Sequence, residues 1–67
     1  MQPHQQRVID EKDQLGEKLE KLLAFLSTDI YKSLPQREQE LLYFQSQVME
    51  DYYEVLQERI ELFKEGE

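Results

Sequence analysis

Two basic side chains stand in this sequence where apolar ones are expected: Lys12 between Val8 and Leu15, and Arg59 within the run from Leu56 to Phe63. With His4 and Arg7, which fall at the same end of the chain's helices, they make up the candidate ligand-binding set read from the residues, and the chemistry open to them is the capture of an anion. Arginine suits this role because its planar fork grips phosphate through two parallel hydrogen bonds. Catalysis has far less to draw on. One histidine and no cysteine remove most nucleophile–base pairs, and the serines have no evident base nearby. No glycine-rich phosphate loop or metal motif is present, and a lone histidine cannot anchor a zinc site. Carboxylates are abundant, as they are on most helical surfaces. The expectation is a binding protein rather than an enzyme, with no catalytic residue, metal or cofactor.

The elements that must position those cations follow from periodicity. Val8, Leu15 and Leu22 recur every seven residues, with Leu19 and Leu26 at the alternate positions, predicting a helix over about residues 3–26. Pro3 suits its first turn, and Gly16, which weakens it by about 1 kcal/mol, marks either the close approach of a neighbouring helix or, as the favoured reading, a tolerated defect. Ser27, Thr28 and Asp29 supply capping groups for a connector over about residues 27–34, where Ile30, Tyr31 and Leu34 have the spacing of one short helical turn. Pro35 then fits the start of a second long helix reaching about Phe63, with Gly66 beyond it at a fraying end. Its stripe reads Leu41, Leu42, Val48, Met49, Tyr52, Leu56, Ile60 and Phe63, interrupted by Gln45 and Arg59.

A short connector implies an antiparallel hairpin, and placing Leu26 against Leu41 makes residue numbers across it sum to about 67. Val8 then falls beside Arg59 and Lys12 beside Val55, while His4, Arg7, Arg59 and Lys64 gather at the open end. The fold class is all-α: a two-helix hairpin with a short helical connector, forming a single domain over residues 1–67.

Size and charge bound what such a hairpin does. Sixty-seven residues without cysteine leave self-association as the way to complete a core, because chains this short normally need a disulfide, a metal or a partner. Fifteen acidic residues against eight basic ones give a net charge of −7, a field that repels duplex nucleic acid and anionic membranes. A small anion held by converging cations is not excluded by that field. No apolar stretch approaches the roughly 18 residues of a membrane span and no signal-peptide pattern is present, so cytoplasmic residence is the expectation.

A competing reading places Lys12 and Arg59 at a stripe edge, paired with Asp10, Glu11 or Glu58, their stems packed and their charges in water. Lys21 then becomes an ordinary solvated lysine, and His4 lies close enough to the terminus to fray. Tyr43, Phe44, Tyr52 and Tyr53 form an aromatic band suited to core packing or an oligomer interface, and Met49 reads as core filler.

The segments HQQRVIDEK, KLEKLLAF, SLPQREQELL and YYEVLQERIELF, in that order from His4 to Phe63, resemble very small bacteriophage proteins that include the anti-CBASS cyclic-nucleotide sponges. That resemblance implies a homo-oligomer of helical hairpins, hexameric in the sponges. It also implies pockets between protomers that hold cyclic dinucleotides, with separate pockets for cyclic trinucleotides, and action by sequestration in the host cytoplasm. Arg59 within LQERI, Lys21 before the KLLAF segment and Arg7 near the start of the first helix correspond to family ligand contacts. Where a family tyrosine is expected near the first turn, this chain has His4. The alternative is an acidic helical phage module that binds a protein and has no nucleotide ligand.

Overall fold

The structure is a computed structural model that describes residues 2–65, with side chains described as far as Phe63. Three helices follow one another: α1 from Pro3 to Phe25, α2 from Asp29 to Ser33 and α3 from Gln36 to Glu65. Pro3 opens α1 where its missing N–H is no loss, and the Gln5 side chain accepts the Gln2 N–H at 3.0 Å. The expected fraying at Gly66 lies outside the described residues, as does the side chain of Lys64. Among the described residues no helix is long and apolar enough to cross a membrane.

The connector is fastened by polar side chains. Thr28 caps α2, its Oγ1 accepting from the Tyr31 N–H at 3.2 Å and donating to the Phe25 carbonyl at 2.7 Å. Tyr31 donates its hydroxyl to the Gln39 carbonyl at 3.0 Å, and Gln39 Nε2 returns to the carbonyls of Leu34 at 2.7 Å and Lys32 at 3.1 Å. These bonds tie α2 to the first turn of α3. Thr28→Ala is expected to cost about 1 kcal/mol in urea-unfolding free energy, since it leaves a helix N–H without its acceptor.

Helices α1 and α3 pack against each other and run antiparallel. His4 meets Phe63 edge-on at 6.3 Å, and Lys12 Nζ lies 5.3 Å from the centre of the Tyr53 ring. The register expected from sequence therefore holds, but the facing of α3 does not. Its inward seam is Leu42, Ser46, Met49, Tyr53, Leu56, Ile60 and Phe63, each buried or half-buried. Ser46, which no apolar pattern selects, is fully buried and satisfies its hydroxyl on the Tyr43 carbonyl at 2.6 Å. Leu41, Val48 and Tyr52, assigned to the same stripe from sequence, are exposed. Lys12 consequently sits over Tyr53, and Val55 lies on the outside. The single wide stripe is two seams, one residue and hence about 100° apart.

Gly16 marks a close approach of α3, not a defect. A Cβ built on it would lie 3.1 Å from Cε2 of Tyr53, so the bare backbone makes room for that ring against α1. Gly16→Ala is expected to return less than the ~1 kcal/mol that alanine normally adds to a helix. Gly16→Leu is expected to lower unfolding free energy by about 1–3 kcal/mol through overpacking, and thermal melts of the two variants test both signs.

Only Val8 and Leu56 are buried apolar residues among those described. The molecule measures 49 × 14 × 14 Å and exposes 5337 Å². A compact monomer of its mass, 8.2 kDa, is expected to expose roughly 4,500 Å². One pair of helices leaves surface uncovered.

Candidate functional site

On antiparallel helices, the residue just before an inward-facing one lies on the same flank of the hairpin for both helices, because reversing the chain direction mirrors the rotation. Arg7 precedes buried Val8, and Arg59 precedes half-buried Ile60. The two arginines thus share one flank. They also share one level: the His4–Phe63 contact fixes the open end, and each arginine lies about one helical turn in from it. Both are exposed. No described salt bridge involves either arginine; the described bridge joins Arg37 to Glu40 at 3.4 Å, near the opposite end of α3.

The other candidates go elsewhere. His4 stays at the open end but spends one ring edge on Phe63. Lys12 lies half-buried within the α1–α3 seam, its charge over the Tyr53 ring, a contact that contributes about 0.5–1 kcal/mol when partly exposed. Lys21 precedes Leu22 and so shares the flank of the arginines. It stands 14 residues along α1 from Arg7, about 21 Å away at 1.5 Å per residue. One copy therefore brings together His4, Arg7 and Arg59 but not Lys12 or Lys21. Lys18, preceding Leu19, joins the same flank one turn before Lys21. Sequence reasoning passed over it, although its spacing from Arg7 and Lys21 marks it once the inward seam of α1 is known.

The α3 half of this flank is apolar. Leu41, Val48, Val55 and Leu62 recur every seven residues, with Tyr52 between them and Arg59 in line. All are exposed, Val48 to 61% and Leu62 to 63%. Phe44, 66% exposed, borders them. Chemically the flank offers Arg7 and Arg59 at one end, with Glu11 one turn in from Arg7, lysines toward the other end and an apolar, aromatic strip alongside. An anion with flat rings would find both kinds of contact here. Among the described residues no group of three or more histidine, aspartate or glutamate side chains converges to hold a metal ion.

The class this defines is a small, acidic helical hairpin carrying a cation-lined apolar flank. The sequence matches the Sequestin family model over residues 2–62, and the chain belongs to that family. The match takes in all but the last residue of the stretch, His4 to Phe63, that resembles sponge-type phage proteins, and is consistent with that resemblance. No curated protein and no solved structure matches the chain.

Proposed function

We propose that this protein is a phage-encoded sponge that binds cyclic di- or trinucleotide second messengers in the host cytoplasm and blocks antiphage signalling by lowering their free concentration. No bond in the ligand is broken in this scheme, so no nucleophile or general base is required. The observation that carries it is the pairing of Arg7 and Arg59 at one level of one flank in a chain of net charge −7. Such cations have a local purpose that the overall charge does not supply. Membership of a family whose name denotes sequestration supports the same reading. Copies assembled as a homo-oligomer, six in the sponges it resembles, would close the flank into pockets. Stacked bases contribute about 1–3 kcal/mol each, and charge-assisted bonds to the phosphates add to that.

Titration calorimetry of the full chain against cyclic di- and trinucleotides, with linear mononucleotides as controls, tests the proposal. Heat with one or more cyclic ligands supports it, and silence across the panel removes it. A second reading, an acidic module that binds a protein, draws on the exposed aromatic rings of Tyr43 and Phe44. A protein retained from infected cells together with a silent calorimeter would favour that one.

A further inference from the structure

We infer that Ser46 is a positioning residue: its small size fixes which face of α3 meets α1 and so holds Arg59 on the flank that carries Arg7. The consequence for binding rests on the sponge reading proposed above. The facing itself exists with or without a ligand.

Helix α3 is close to degenerate in its facing. Inward Leu42, Met49, Tyr53, Leu56 and Phe63 are each preceded by another apolar residue: Leu41, Val48, Tyr52, Val55 and Leu62. A turn of about 100° with a slip of about 1.5 Å would seat every first member where its neighbour now lies. Leucine would replace leucine, and the gap at Gly16 would receive Tyr52 as it now receives Tyr53. Those positions therefore cannot choose between the seatings. The connector bonds of Tyr31 and Gln39 run between α2 and the first turn of α3, so they travel with that helix.

The remaining inward residues differ from their neighbours in kind: Ile60 is preceded by Arg59, and Ser46 by Gln45. Ile60 is only half-buried and lies close to the open end. An arginine turned into its place could pack its stem and run its charge out to water. Position 46 has no such exit. Ser46 exposes no surface, and it is the buried polar side chain among the described residues. Its hydroxyl is satisfied within α3, donating to the Tyr43 carbonyl at 2.6 Å, so it asks nothing of α1. Glutamine is longer, and its amide brings donors and an acceptor that would need partners there. Gln45 stays out of the seam, and its exclusion sets the facing.

What the facing secures is the cation pair. With Ser46 inside, Arg59 stands one residue before an inward position and shares the flank of Arg7. In the turned seating Arg59 would itself be the inward residue, and the flank would keep Arg7 alone. Ser46 is 13 residues along α3 from Arg59, about 20 Å at 1.5 Å per residue. It acts on the anion site through the rotation of a rigid helix, without touching the ligand.

Exchanging the two neighbours in the full chain tests this without altering composition or net charge. Gln45→Ser with Ser46→Gln moves the small residue one position earlier. It is expected to turn α3 onto its other seam while the far-ultraviolet helix signal persists. The chain has no cysteine, so Val48→Cys and Met49→Cys serve as separate thiol-labelling reporters without background. Val48 is 61% exposed and Met49 half-buried, so Val48→Cys is expected to react several-fold faster in the parent background. In the exchange background that order is expected to reverse. Calorimetric affinity for cyclic nucleotide is expected to fall about tenfold or more, the loss of one charge-assisted hydrogen bond. Ser46→Ala keeps the small size without the hydroxyl and is expected to retain both the parent labelling order and the parent affinity. An unchanged order, unfolding of the exchange variant, reversal in Ser46→Ala, or full affinity after reversal each overturns the inference. Reversed labelling in a chain whose parent form binds no cyclic nucleotide sinks the sponge alone, whereas cyclic-nucleotide heat with an unchanged order sinks the role of Ser46 alone.

Discussion

Arg59→Glu is expected to weaken cyclic-nucleotide binding at least about 100-fold, because a charge-assisted hydrogen bond contributes about 1.5–3 kcal/mol and the reversal adds repulsion to its loss. Arg59 is exposed, so the change removes nothing from the hairpin core. Helix content is therefore expected to stay at the wild-type level. Solution mass is also expected to match the parent chain, which sedimentation checks. Arg59→Lys should fall between the two, keeping the charge but losing the planar fork that grips phosphate twice. Arg37→Glu provides the control. Arg37 carries the same charge but pairs with Glu40 at the far end of α3, and its reversal should leave the calorimetric affinity within about twofold, because exposed pairs contribute little. Equal losses in both reversals would mean that net charge, not a site, governs binding.

The largest expected effect on stability belongs to Leu56→Ala. Leu56 is fully buried, and Val8 is its only buried apolar companion among the described residues. Truncating a buried leucine costs about 2–5 kcal/mol. In a domain this small each kcal/mol moves the melting midpoint by about 4–8 °C, so a drop of ten degrees or more is expected. Ile30→Ala, at a side chain 65% exposed, removes a similar number of carbons and should shift the midpoint by no more than a few degrees. Melts at two protein concentrations add information. If copies assemble, the midpoint rises with concentration for the parent chain.

Much of the architecture was legible in advance because it depends on local signals. Proline at Pro3, the hydroxyl of Thr28 ahead of a turn, and the seven-residue recurrence of Val8, Leu15 and Leu22 act through neighbours in the chain. Such signals read the same before and after folding. The register across the hairpin was also legible, since a short connector leaves few ways for two long helices to meet. What periodicity could not separate was one wide stripe from two narrow ones. Leu41 and Leu42, Val48 and Met49, and Tyr52 and Tyr53 are adjacent apolar pairs, and either member of each pair could face inward.

The sequence by itself determined helices, their direction and a surplus of apolar residues with cations set among them. Tertiary packing decided which of each adjacent pair turns inward, because α1 fills a single seam only about 100° from the next. That choice put Gly16 under Tyr53, seated fully buried Ser46 inside, and left Val48, Val55 and Leu62 on a common outer line with Arg59. It also divided the basic residues, drawing Lys12 onto an aromatic ring while Arg7 and Arg59 came level. A change of one residue in facing rotates a helix by more than a quarter turn, and the location of a site on a helical surface turns with it.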